Sequence, residues 1–408
     1  MKNKLYILLL ASLLVTAVSC RKESEELFNP NIHYCRTFTE QFKTVWSGID
    51  HGYVFWAHDT VDWDAVYERM LPVFQDFDNR NYVSDAEFTA AYESMLKGLL
   101  DHHMSVQVKN LKTGHAAYLS PAQLEVPYRD YYHGDFTQWQ VALLPNMDGV
   151  TGYKEGGDEL PCWFALFPGN NGKKIAYLRF KSFSVMNLAS MVQYGYAPQT
   201  SLAPFKSFYG TDVTQGVTNG WAGSDQVEGV IIDVRGNHGG QLADLMPLVG
   251  SMSPTRVDYG YSRIKEGLGR LDYGAWLPMF VESPQGHLNG DKKVVVLSDV
   301  NSISCAEITS LIIKMIPNGT MIGERTYGAT GPLIQGGFDY YYSGVFGDYN
   351  KYGYYVYTSN YDVVDLNYET TEGVGIIPDI ECIFDFNALQ NGHDNQLERA
   401  LEFIRTGK

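Results

Sequence analysis

Two short segments carry residue types that could break a bond. The first runs Asp299-Val300-Asn301-Ser302-Ile303-Ser304-Cys305-Ala306-Glu307, between a buried apolar run (Val294 to Leu297) and a helical pattern over Ala306 to Met315. A hydroxyl at that junction sits at a helix N-terminus, where backbone N–H groups and the dipole favour developing negative charge. Such a place suits a nucleophile. It also suits a helix cap, since serine is a preferred capping residue, and either Ser302 or Ser304 could fill that role. The second segment is Asp233-Val234-Arg235-Gly236-Asn237-His238-Gly239-Gly240, at the end of the apolar run that starts at Val230. Its three glycines allow close backbone approach to a ligand, and an N–H there could donate to an oxyanion. It has neither the GK[ST] ending nor the GxGxxG spacing of a phosphate-binding loop. No CxxC pair or His/Cys cluster has zinc-ligand spacing, so no metal and no cofactor is expected.

These turns need elements to hold them. Residues 33–103 read as mostly helical: Phe38, Phe42, Val45 and Trp46 recur at helical spacing, as do Trp63, Val66, Tyr67 and Met70. Phe88, Ala91, Met95 and Leu99 share a third face, preceded by Ser84 and Glu87 in capping-box spacing. Residues 104–171 are rich in Gly, Pro, Asn and Tyr and read as short strands and loops. From Lys173 the pattern changes to strands alternating with helices: Ile175 to Phe180, Val230 to Val234, then Val294 to Leu297. That alternation implies an α/β core. Ile308, Leu311, Ile312 and Met315 are expected to form the inner face of the helix after Ser304, and Asn395 to Ile404 a closing amphipathic helix. Alternating tyrosines between Tyr340 and Tyr357 fit hairpin packing better than a substrate groove.

The chain has 408 residues, a formal charge of −16 and 14% aromatic residues. That is too apolar for a disordered chain. An acidic chain without a basic run is a poor partner for nucleic acid, whose phosphates need clustered Lys and Arg. Lys2 and Lys4 precede an apolar stretch from Leu5 to Val18, too short to span a bilayer of about 30 Å. It fits a secretory signal over residues 1–19, and Ala17-Val18-Ser19-Cys20 resembles a bacterial lipoprotein cleavage box, making Cys20 the lipidated N-terminus. Residues 20–32 then read as a tether, and the protein is expected on a bacterial membrane, at its periplasmic or cell-surface face. Four further cysteines, Cys35, Cys162, Cys305 and Cys382, could pair in three full ways.

In order and spacing, several pieces resemble the C-terminal processing peptidase (tail-specific protease) family of serine proteases. They are Val61 to Tyr67, Leu100-Asp101-His102-His103, Ile175 to Phe183, the two turns above, Gly323-Glu324-Arg325-Thr326-Tyr327-Gly328, and Glu372-Gly373-Val374-Gly375 through Asp379. The resemblance implies a ClpP/crotonase-like α/β catalytic core over 172–408. It also implies a helical N-terminal region over 33–103 and a small β-rich insert at 104–171, where many members carry a PDZ domain. It further implies hydrolysis of peptide bonds in a peptide or unfolded protein, with Ser304 as nucleophile and the backbone N–H groups of Gly239 and Cys305 as oxyanion donors.

The best-known members pair that serine with a lysine directly after the glycine of a Thr-(Tyr/Phe)-Gly turn. Here Thr326-Tyr327-Gly328 is followed by Ala329, and no lysine occurs between Lys314 and Lys351. A serine hydroxyl still needs a base. The branch resembling the tricorn core uses a histidine placed before the core and a later glutamate. By that resemblance His103 is the base and Glu372 its orienting partner, with His238 and Glu369 as the next candidates. That branch has a serine before the histidine, where this chain has His102. The substituted position and the missing lysine leave one alternative, a catalytically inactive peptide-binding lipoprotein of the same fold.

Overall fold

The computed structural model describes residues 33–122, 134–333 and 342–408. The signal segment, Cys20, the tether and Tyr340 lie outside these residues. Among the described residues, no helix is long and apolar enough to cross a membrane.

Three helices open the described residues: α1 (Phe38–Gly52), α2 (Trp63–Asn79) and α3 (Asp85–Leu96). Each starts at a side-chain cap, from Thr37, Asp62 and Ser84, and Ser84 and Glu87 close a reciprocal capping box. Their apolar stripes meet in one aromatic core, where Phe42 stacks on Phe74 at 4.8 Å. Strands β1 (Ser105–Lys109) and β2 (Ala116–Leu119) follow. They join this helical region, because Val106, Val108, Ala117 and Leu119 bury into the same core.

A seven-stranded sheet forms the second body. It comprises β3 (Thr151–Glu155), β4 (Cys162–Pro168), β5 (Lys174–Phe180), β6 (Val227–Asp233), β9 (Lys293–Ser298), β10 (Gly319–Gly323) and β14 (Ile380–Glu381). The spatial order is β14-β10-β9-β6-β5-β4-β3, parallel from β14 to β5 and antiparallel from β5 to β3. The stretch 104–171 is therefore divided between two sheets, and the apolar Cys162–Pro168 run pairs directly with β5 along its full length.

Both faces of the central sheet are covered, which explains the unbroken apolar runs of β6 and β9. In β9, Val294 and Val296 pack on one side with helix α4 (Cys305–Met315). Val295 and Leu297 face the other side and pack with Leu397 and Leu401 of α5 (Asn395–Thr406). Ile308, Leu311 and Ile312 are buried as expected. Met315 is not: it is 37% exposed, because α4 ends there and the chain leaves the sheet, while Ile313 fills the inner face instead.

A three-stranded antiparallel sheet, β13-β7-β8 (Tyr361–Val364, Val257–Ile264, Leu277–Val281), packs beside α4. The late strands β11 (Phe346–Asp348) and β12 (Tyr354–Tyr357) return to the helical region, where β12 pairs antiparallel with β1, Ser105 opposite Tyr357. Tyr354 and Val356 bury into the core, while Tyr355 and Tyr357 stack on the outer face. Cys35, Cys162, Cys305 and Cys382 are all free thiols.

Candidate active site

The parallel strands β6, β9 and β10 end side by side, and their C-terminal turns meet there. This is the edge of an α/β sheet at which ligands bind. The β6 turn holds Gly236 to Gly240, the β9 turn holds Ser302 to Ser304, and the β10 turn holds Glu324 to Ala329.

Ser302 is fully buried, donates its hydroxyl to Val234 O at 2.8 Å and accepts the Asp299 N–H. It ties the two turns together. Ser304 is different. It is half-buried and adopts φ 59°, ψ −119°, a left-handed conformation that a residue with a Cβ rarely takes. Its N–H donates to Ala329 O and to Glu307 Oε2, both at 3.1 Å. Gly239 lies against it so closely that a Cβ there would sit 2.5 Å from Ser304 Cβ.

Glu307 fixes this corner. Its Oε1 accepts the Thr326 hydroxyl (2.6 Å) and the Gly328 N–H (2.7 Å), and its Oε2 accepts the Ala329 N–H (2.7 Å) besides that of Ser304. Burial pushes its carboxyl up, and these bonds oppose the shift. Ala329, at the position of the absent lysine, is fully buried. Lys314 is tied to Ile377 O and Asp379.

The expected oxyanion donors are not equivalent. The Cys305 N–H opens helix α4 with no backbone acceptor, while its thiol donates to Gly240 O and burial raises its pKa to about 12. The Gly239 N–H already donates to Asn237 Oδ1 at 2.8 Å.

The histidines arrive from the loop between α3 and β1. His102 donates its N–H to Glu372 Oε1 (2.8 Å), and its Nδ1 bonds Tyr327 O (3.2 Å). His103 is half-buried, and its Nδ1 is buried without a hydrogen-bond partner. Burial lowers its pKa to about 4, with Asp101 pulling the other way. One ring nitrogen of His103, one oxygen of Asp101 and one of Glu372 lie within 4.8 Å of one another. Ser304 and His103 share no hydrogen bond. They are linked through the backbone, as Ala329 holds Ser304 and the next two residues donate to Glu372.

Glu372 is fully buried, whereas Glu369 and Asp379 are exposed. Its Oε2 accepts the Thr330 N–H (2.6 Å), the Gly331 N–H (2.7 Å) and the Thr330 hydroxyl (3.2 Å). Burial drives its carboxyl well above the usual range, with the charge of Asp101 adding to the effect. His238 is exposed beside Gly239 and donates its N–H to Lys181 O.

Asp101 has no place in the sequence reading as a site residue. Its carboxylate accepts four donors: the His103 N–H (2.9 Å), the Ser359 hydroxyl (3.0 Å) and N–H (2.7 Å), and the Thr358 hydroxyl (2.6 Å). The distances among Asp101, His103 and Glu372 could span a cation, but the Asp101 carboxylate is already occupied by its four donors. Beneath the turns, Asp233 binds Arg179 and Arg235, and Arg235 continues to Asp394, the cap of α5. Burial opposes the charge of Asp233, but the two guanidinium groups win and hold it at about 2.

Residues 174–382, just over half of the chain, match peptidase family S41. The chain belongs to peptidase family S41. Members of this family are serine peptidases, and it is the family that the ordered motifs resemble. Among solved structures, a candidate peptidase from Parabacteroides merdae is similar over 92% of this chain and 98% of its own, with a TM-score of 0.64 and 22% identity. Mature CPAF, solved with lactacystin, covers 91% of this chain and 98% of its own, with a TM-score of 0.58 and 12% identity. At these identities the likeness is one of fold, and it agrees with the S41 core and its helical N-terminal region. No curated protein matches the sequence.

Proposed function

We propose that this S41 protein is an exported serine peptidase in which Ser304 attacks the peptide carbonyl, His103 accepts its proton and Glu372 orients the imidazole. The observation that carries this reading is the conformation of Ser304. A serine held at φ 59° at the head of α4, against Gly239, is aimed by its surroundings at a cost of order 1–3 kcal/mol, the kind of strain that clusters at active sites. Ser302, whose hydroxyl is committed to Val234, has no such freedom.

In the proposed reaction, Ser304 Oγ adds to the carbonyl carbon as its proton passes to His103 Nε2. The oxyanion is met by the Cys305 N–H, and by the Gly239 N–H once that donor leaves Asn237. Each such donor is worth about 10²–10³ in rate. The imidazolium then gives its proton to the leaving amine, and water resolves the acyl-enzyme by the same steps. Glu372 suits the orienting role because, among the described residues, Oε1 accepts one donor and keeps a lone pair for a ring N–H. Export and a lipid anchor at Cys20 belong to the same proposal and rest on the leader sequence.

The occupied Gly239 N–H favours the second reading, an inactive peptide-binding lipoprotein. A fluorophosphonate probe separates the two. The wild type and Ser302→Ala should label, and Ser304→Ala should not. A wild type that stays unlabelled and hydrolyses no peptide would leave the binding protein. Fractionation of the same cells tests the anchor, since Cys20→Ala should leave the membrane fraction.

A further inference from the structure

Two carboxyl groups, Asp101 and Glu372, are buried side by side against His103, and both have 0% exposure. Their hydrogen bonds differ. Asp101 receives two donors on each oxygen, and only a carboxylate can accept that set in full. Glu372 receives three on Oε2 but one on Oε1. Two like charges this close in a dry site do not both persist, and one group keeps a proton. The free lone pair on Glu372 Oε1 is the place for it. His103 Nδ1 is buried without a hydrogen-bond partner, and one ring nitrogen of His103 lies within 4.8 Å of an oxygen of each carboxyl group, so a small shift of the ring lets Nδ1 and Glu372 share that proton.

We propose that Asp101 is a positioning residue that sets the pH at which His103 becomes a base: its fixed negative charge keeps a proton on the His103–Glu372 pair, and the pair must lose it before Nε2 can accept the proton of Ser304. This rests on the peptidase reading above. With the proton on Glu372 Oε1 and donated to Nδ1, the ring carries its own hydrogen on Nε2, the wrong tautomer for a base. Moved onto the ring, the same proton gives an imidazolium, which is equally unable to accept another. Loss of one proton from the pair leaves Nδ1–H directed at an ionised Glu372 and Nε2 free. The titration therefore belongs to the pair and not to either residue. The other groups facing the pair are Glu307, whose charge acts on Glu372 in the same direction as Asp101, and His102, which opposes a charge on His103.

The sign follows from the charge. Removing the anion at 101 weakens the pair's hold on its proton, so the acid limb of activity should move to lower pH. The test is the pH dependence of Ser304 labelling by a fluorophosphonate in wild type and Asp101→Asn, each normalised to its own plateau. A downward shift of about one pH unit or more is expected, the size of a neighbouring-charge effect. An unmoved limb overturns the proposal, since a purely structural role would lower the plateau without shifting the limb. If Asp101→Asn does not fold, ring ¹⁵N NMR of His103 in the wild type decides. The proposal requires loss of the Nε2-bound proton on passing up through the limb, and a ring that stays Nδ1–H throughout overturns it. A wild type that never labels sinks the peptidase reading instead, and the NMR titration still tests the cluster.

Discussion

Glu307 shows how much of the site depends on single carboxylate oxygens. Its four donors arrive in two pairs, Thr326 and Gly328 on one oxygen, Ser304 and Ala329 on the other. In Glu307→Gln one oxygen becomes an NH₂ group that faces donors, which leaves buried N–H groups unmet at about 1–3 kcal/mol. If the NH₂ faces Ser304 and Ala329, the strained serine loses its brace. Glu307→Gln should therefore melt several degrees lower and label at least tenfold more slowly while still folding. Equal labelling rates in the two proteins would show that Ser304 holds its conformation unaided. At this scale the sequence was readable where chemistry and spacing coincide. Ser304, Glu307 and the glycines stand within short motifs. Asp101 was invisible as a site residue because its donors come from Thr358 and Ser359, some 257 positions away.

The turns place their residues by backbone contact more than by side chains. Gly239 has φ +82°, and a Cβ there would meet Ser304 Cβ at 2.5 Å, Ile303 O at 2.7 Å and Cys305 N at 3.0 Å. Gly239→Ala should thus displace the β6 turn from the head of α4. We expect at least a hundredfold loss in kcat/KM, with the far-ultraviolet circular dichroism of the fold retained. Activity within a few-fold of wild type would remove Gly239 from the oxyanion site. Buried strands and the inner face of α4 were legible because apolar runs and helical spacing survive any context. The division of residues 104–171 was not. Whether β1 joins the helical region or the central sheet depends on β12, far along the chain, and no local pattern records a pairing at that distance. Met315 was misread for a simpler reason: helical spacing continues past the point where the sheet stops.

Across the molecule, the site is anchored to the C-terminus through one buried chain of charges. Arg235 holds Asp233 and Asp394 together, and Asp394 also accepts the Leu397 N–H as the cap of α5. Asp394→Ala removes the cap and leaves a guanidinium short of one partner. The expected cost is about 3–5 kcal/mol, as for one half of a buried pair, read as a lower urea midpoint at neutral pH. The loss should be smaller in Asp394→Asn, which keeps the cap, and equal midpoints in wild type and Asp394→Ala would refute the anchoring role. Asp233 adds an acid sensitivity of defined direction. Held at about 2, it contributes stability that is full above the ordinary carboxylate value near 3.8 and fades as pH falls toward 2.

The bond from the His102 N–H to Glu372 spans 270 residues of sequence. A ribosome adding about 5–20 residues per second needs roughly 15–50 s to cover that interval. Throughout that time the growing polypeptide already carries the histidines but lacks the carboxylate and the loop that receives them. In the proposed peptidase, order of synthesis would act as a safeguard: a half-made chain lacks the orienting carboxylate, and the proposed site is completed only when the last fifth of the protein folds back onto the first quarter.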